Sequence, residues 1–171
     1  MAFHPNWRLT LSRLVTSLVL AAGAPALSAA PFAYVTNQGD DTVSVVDLAN
    51  EQVAATVPVG GEPAGIAVSQ DGKRIYVTNP KSKDVYLIDG TEHRVLRHAQ
   101  VGEGSLGIAL GPDAKRVYIA SWFSNELLVM DVRTLEVVGS VPTGESPRAF
   151  GVFLARGGRA ERPHGHRLGL R

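Results

Sequence analysis

From residue 32 onward the chain alternates short apolar, β-branched runs with polar turn signals. Residues 32–36 are apolar and β-branched, Gln38-Gly39-Asp40-Asp41 breaks the run, and residues 42–46 resume it. A turn at Ala49-Asn50-Glu51, a strand over 52–57, a break at Gly60-Gly61-Glu62-Pro63 and a strand over 64–69 follow. Asp71-Gly72, inside Gln70-Asp71-Gly72-Lys73, favours positive φ and suits a tight hairpin. The runs Val43-Ser44-Val45-Val46, Val85-Tyr86-Leu87-Ile88 and Leu127-Leu128-Val129-Met130 are apolar on both faces, so each sheet is expected to be covered on both sides by other sheets. Gly65, Ala67, Gly107 and Ala109 alternate with larger apolar residues, the pattern of a strand in a crowded place.

The runs recur. Tyr34-Val35-Thr36-Asn37 returns as Tyr76-Val77-Thr78-Asn79 and, weakened, as Tyr118-Ile119-Ala120-Ser121, each copy 42 residues after the last. Val59-Gly60, Val101-Gly102 and Thr143-Gly144 keep the same register, as do Asp47, Asp89 and Asp131. A period of 40 to 45 residues is that of a four-stranded propeller blade, with the small-residue strand innermost, where radial crowding is greatest. The predicted fold class is therefore all-β, with three four-stranded blades of 42 residues forming a partial propeller or a ring completed by oligomerisation.

Over residues 32–154 the chain resembles the YVTN-type β-propeller repeat family, in the WD40-like and quinoprotein-dehydrogenase-like superfamily of propellers. The resemblance rests on Tyr-Val-Thr-Asn, on Val45-Val46-Asp47 and Leu87-Ile88-Asp89, on the connection from Val57 to Gly60, and on Gly65 to Lys73. It implies an exported bacterial propeller, often with about seven blades and with no assigned activity in many members. The chain opens on the second strand of a blade, and residues 147–154 read as the innermost strand of the next, able to close a ring by completing the first blade. Three blades fall short of the four to eight that radial closure takes. A shortened, non-functional remnant of a seven-bladed protein is one resolution, and a homodimer completing a six-bladed ring is another. The uncovered faces are expected to carry apolar residues such as Val43, Val45, Val137 and Val141.

Composition adds compartment and partners. Arg8 and Arg13 precede an apolar run over 14–24, and small residues follow, so residues 1–30 read as a secretory signal peptide and the protein as periplasmic or secreted. That run is too short to span a bilayer, and no later segment approaches the length needed. Residues 31–154 hold 10 Lys and Arg against 15 Asp and Glu, which gives no footprint for nucleic acid. Residues 155–171 carry five arginines against Glu161 and no apolar period, a basic Gly/Arg/His tail whose composition predicts disorder. The chain contains no cysteine, so disulfides and thiolate metal sites are excluded.

Candidate chemistry is sparse. Asp47, Asp89 and Asp131, which as a ring of carboxylates would suit a metal, stand before turns and are expected to bond turn amides instead; Asn37 and Asn79 are given the same structural role. His4 lies in the leader and His164 and His166 in the tail, leaving His93 and His98, both expected at the surface and too few for a metal centre. No nucleophile elbow, Walker loop, dinucleotide fingerprint or His-Glu-x-x-His pattern is present. No catalytic, cofactor-binding or metal residue is assigned, and no cofactor is expected. The reading is a non-catalytic scaffold that binds a protein or small-molecule ligand, against a lactonase-like or quinoprotein-dehydrogenase-associated enzyme or accessory. One difference between repeats points to a site. Where the first two have Gln38-Gly39 and Pro80-Lys81, the third has Trp122-Phe123, either a partner-binding pair or packing against an adjacent blade.

Overall fold

A computed structural model of the chain describes residues 31–151 and 154. The segments read as leader and tail lie outside the described residues, as do residues 152 and 153 of the closing segment. The described residues form three antiparallel sheets and no helix. Blade 1 contains β1 (Phe32–Asn37), β2 (Thr42–Asp47) and β3 (Gln52–Pro58) in that spatial order. Blade 2 contains β4 (Ile66–Val68), β5 (Arg74–Asn79), β6 (Asp84–Asp89) and β7 (Arg94–Gln100). Blade 3 contains β8 (Ser105–Leu110), β9 (Arg116–Ser121), β10 (Glu126–Asp131) and β11 (Val137–Pro142). The all-β blades anticipated from the 42-residue period are the architecture. β4 is shorter than the strand expected over 64–69, although its pairing with β5 runs on through the bonds from Ala64 N to Thr78 O and from Thr78 N to Gly65 O.

Local chemistry repeats as faithfully as the motif. Asp47, Asp89 and Asp131 each accept from the amides two and three positions on, Asp89 Oδ1 at 2.7 Å from Thr91 N and 3.0 Å from Glu92 N. These bonds hold the Asp89 and Asp131 carboxyls below the usual range. Asn37 and Asn79 instead bond across the strand pair, Asn37 Nδ2 to Thr42 and Ser44 and Asn79 Nδ2 to Asp84. Positive φ falls at equivalent turn positions in each copy: Asp41, Lys83 and Asn125, then Glu51, His93 and Leu135. Gly72 takes it at the Asp-Gly hairpin, and Ala114 must take it in the third copy.

The core lies between blades. The face of blade 1 carrying Tyr34, Val43, Val45 and Val57 packs on the face of blade 2 carrying Ile75, Val77, Ile88 and Val95. The opposite face of blade 2, with Tyr76, Val85, Leu87 and Ala99, packs on Val117, Ile119 and Met130 of blade 3. Near the axis the sheets nearly touch: a Cβ on Gly65 would lie 2.1 Å from Leu106 O, and one on Gly107 1.9 Å from Ala149 O. Thr78 Oγ1 spans this gap, accepting from Gly65 N and donating to Leu106 O at 2.9 Å each, and Thr36 Oγ1 donates likewise to Ala64 O at 3.2 Å. The motif threonine is thus a tie between blades, and Ala120 in the third copy makes none of these bonds.

Val43 and Val45 do not lie on an uncovered face; both are fully buried against blade 2. The pleat decides this, because residues paired across an antiparallel ladder share a face. Val46 pairs with Ala33 and Val53, so these residues and Val35 form the open side of blade 1. In blade 3, Val137 pairs with Met130 and faces blade 2, while Val141 pairs with Leu127 on the open side.

Candidate functional site

The loops that join β1 to β2, β5 to β6 and β9 to β10 all emerge at one end of the arc, with the crossovers between blades. They enclose a concavity of about 380 Å³, into which Trp122, Phe123, Arg148, Lys81, Glu62 and Leu106 project. Its lining falls into repeat-equivalent columns: Gln38, Pro80 and Trp122 form one, Glu62 and Gly104 another, and Leu106 and Arg148 a third. The site is therefore built from corresponding loop positions filled with different side chains.

Backbone bonds fix each wall. Ser121 Oγ donates to Glu103 O at 2.7 Å and Trp122 N donates to Gly104 O at 2.8 Å, which anchors the turn that presents the aromatic pair. Asn125 Oδ1 accepts from Ser146 N at 2.8 Å and so brings the closing segment over the same turn. The Arg148 guanidinium consequently lies 3.6 Å from the centroid of the Trp122 ring, a cation–π stack. Across the concavity, Ser82 Oγ accepts from Gly61 N and donates to Asp84 Oδ1, tying the Lys81 turn to the preceding crossover. Lys81 Nζ meets Glu62 Oε1 at 3.1 Å, and this contact raises the lysine's pKa. Asp84 is buried beside Asn79 and Ser82, and its Oδ2 lies 3.8 Å from His98 Nδ1, which stacks on Tyr86.

The two residues singled out from the sequence differ in placement. Trp122 is half-buried beneath Arg148, whereas Phe123 is 71% exposed at the rim, its ring against Gly104. Arg148, Lys81 and Glu62 were not anticipated as site residues. Register held the signal for Arg148, which stands one period after Leu106. Of the two histidines expected at the surface, His98 is exposed, but His93 is half-buried edge-on to Phe32 with ring centroids 4.8 Å apart. A second concavity of about 630 Å³ opens at the other end of the arc between Phe32, Tyr34, Lys73 and His93. Burial there raises the Tyr34 pKa, with the Asp89 carboxylate adding to it. Among the described residues no three His, Asp or Glu side chains are grouped to hold a metal ion.

The family model of YNCE-like β-propellers matches residues 11–111. The chain belongs to that family. No curated protein sequence matches it. Among solved structures it is similar to hydrazine synthase from Kuenenia stuttgartiensis, with 30% identity and a TM-score of 0.63 over 67% of this chain and 33% of that one. It is also similar to the dihydro-heme d1 dehydrogenase NirN, with 22% identity and a TM-score of 0.59 over 68% of this chain and 25% of that one. Apo AztD from Citrobacter koseri shares 16% identity and a TM-score of 0.57 over 67% of this chain and 33% of that one. The likenesses to NirN and AztD are likenesses of fold. The chain spans about a third or less of the length of these three proteins.

Proposed function

We propose that this YNCE-like propeller is an exported, non-catalytic scaffold, periplasmic or secreted, whose loop face around Trp122 and Phe123 binds a ligand or protein partner. The observation that carries the reading is the Arg148–Trp122 stack beside an exposed Phe123 at the mouth of a concavity of about 380 Å³. Among the described residues no carboxylate pairs with Arg148. The site therefore favours an occupant that sets an anionic group beside an apolar or aromatic surface. The lysine opposite is already paired with Glu62, and Ser82 and Asp84 are engaged in structural hydrogen bonds. Export is supported by the Arg-flanked apolar run and small residues before residue 31.

The test is twofold. N-terminal sequencing of the expressed protein is expected to give a start between residues 29 and 31; an intact Met1 in the cytoplasm overturns export. Trp122→Ala and Phe123→Ala are expected to abolish capture of periplasmic partners while leaving the melting temperature in place. Unchanged capture with a lowered melting temperature would assign the pair to packing. An enzyme or accessory role is the second reading, favoured by the 30% identity to hydrazine synthase. Stoichiometric binding of a divalent ion, measured by calorimetry, would support a metal-dependent enzyme in place of the scaffold.

A further inference from the structure

At the end of the arc away from the Trp122 loops, the seam between blades 2 and 3 opens into a concavity of about 450 Å³ lined by Arg74, Leu87, Leu96, Arg97, Val132 and Arg133. Strand pairing explains how these residues meet. Arg97 pairs with Leu87 across β6 and β7 and so shares the face of blade 2 that packs on blade 3, and Arg74 stands on that face two residues before Tyr76. Leu96 is the extra residue where the register of β6 and β7 shifts, and it is 40% exposed beside Arg97. Blade 3 supplies Val132 and Arg133 from the turn between β10 and β11. Leu87 and Val132 are buried and form an apolar floor, with the three arginines exposed around it.

These guanidiniums are gathered without a counter-charge. Among the described residues none of Arg74, Arg97 and Arg133 forms an ion pair, although Arg94 and Arg116 do. Arg116 stands one period after Arg74, and each lies opposite an aspartate in its ladder; Arg116 bonds Asp131, whereas Arg74 forms no ion pair with Asp89 and lines the concavity. Arg97 Nη2 donates to Arg133 O at 2.6 Å, which holds one guanidinium at the backbone of the other arginine. Burial raises the Tyr76 pKa and the Arg74 and Arg97 charges oppose it, so both act on one buried phenol. Like charges held together repel, and an anion among them relieves the repulsion. Beyond the described residues the sequence has a single acidic side chain, Glu161, set among the five arginines of residues 155–171.

The cluster is peculiar to this seam. One period earlier, at the seam between blades 1 and 2, the same positions hold Phe32, Val45, Ala54, Ala55, Gly90 and Thr91, none of them charged. A requirement of the blade recurs in every copy, as the aspartate turns do, whereas a binding site needs residues that differ between copies.

We propose that this concavity binds a small organic phosphate monoester, its dianionic head among Arg74, Arg97 and Arg133 and its apolar body on Leu87, Leu96 and Val132. Guanidinium forks match phosphate oxygens, and a dianion answers three positive charges better than a single carboxylate does. Residues 31–154 hold 15 acidic against 10 basic side chains, which opposes a long polyanion such as nucleic acid and favours a compact one. This site shares no residue with the concavity at Trp122, so the inference stands apart from the reading of that face.

Calorimetric titration of the full chain with phenyl phosphate is expected to show binding, with benzoate and inorganic phosphate each at least about tenfold weaker, since one lacks the second charge and the other the apolar body. Amide shift changes on adding phenyl phosphate to the unaltered protein are expected around residues 96–97 and 132–133. Arg74→Gln and Arg133→Gln are each expected to weaken binding by about tenfold or more and to leave the melting temperature in place, because both side chains are exposed. Leu96→Ser is expected to weaken phenyl phosphate and to leave inorganic phosphate unchanged. Arg94→Gln removes the same charge from an arginine already paired with Glu92 and is expected to change nothing. No binding to the unaltered protein, equal affinity for benzoate, shift changes confined to the Trp122 loops, or a loss in Arg94→Gln as large as that in Arg133→Gln would overturn the proposal.

Discussion

Blades 1 and 2 carry the same Tyr-Val-Thr-Asn run in the same antiparallel pairing, yet Val77 is fully buried and Val35 is 48% exposed. Blade 2 has a sheet against each face, and β6 is buried on both, whereas β2 of blade 1 alternates because only the Val43 and Val45 side meets another blade. The difference teaches that burial in this protein belongs to the stack and not to the strand. A residue's energetic weight depends on whether a further sheet lies over it, which its own hairpin does not determine.

The sharpest way to break that comparison is a charge at the shared valine. Val77→Asp places an unpaired carboxylate between two sheets and is expected to lower the unfolding free energy by about 4 kcal/mol. Val35→Asp is expected to change the stability of the single chain by less than about 0.5 kcal/mol. Urea denaturation of both, at a dilution where the chain is monomeric, makes the measurement. Equal losses would show that the two faces are buried alike.

A smaller effect separates the two glycines at the axis. A methyl group on either would strike a backbone carbonyl, Leu106 O or Ala149 O. Leu106 is the bulged residue of β8, set between the paired Ser105 and Gly107 with its carbonyl accepting from Thr78 Oγ1, so Gly65→Ala is expected to cost about 2 kcal/mol. Residues 147–151 have a blade beneath them and, among the described residues, no strand beside them, so the segment can shift and Gly107→Ala is expected to cost under about 0.5 kcal/mol. The same denaturation assay tests this pair. A larger loss for Gly107→Ala would mean that the closing segment is as firmly set as β8.

The least effect is confined to acid. Asp89 and Asp131 have carboxyls depressed by turn amides in the folded chain, so their contribution is fully present at neutral pH and is lost as pH falls below about 4. Thermal melts between pH 7 and pH 5 are expected to coincide, with a decline below that range that Asp89→Asn makes shallower. A decline that begins at pH 6 would assign the acid sensitivity to other groups.

Much of the candidate site was legible as a departure from the repeat. Trp122 and Phe123 stand out because the equivalent positions hold Gln38, Gly39, Pro80 and Lys81. Arg148 was not legible as a site residue, because its place over the indole depends on the Asn125 side chain reaching Ser146 N, a contact 21 residues apart in sequence. The motif threonine was hidden for a related reason. Its partner, Leu106 O, is in the next blade, so nothing within one repeat shows what the hydroxyl does.

By itself the sequence determined what is local and recurs: the order of strands and turns, the aspartate turns and the 42-residue unit. These depend on bonds between residues a few positions apart, and each copy restates them. Only the tertiary structure decided which side of each sheet is covered. Val43 and Val45 read as terminal and exposed, but the pleat turns them toward Ile75 and Val77 and leaves Val35 and Val53 on the open side. An alternating strand offers two apolar faces of similar composition, and the direction in which the next blade stacks selects the one that leaves water.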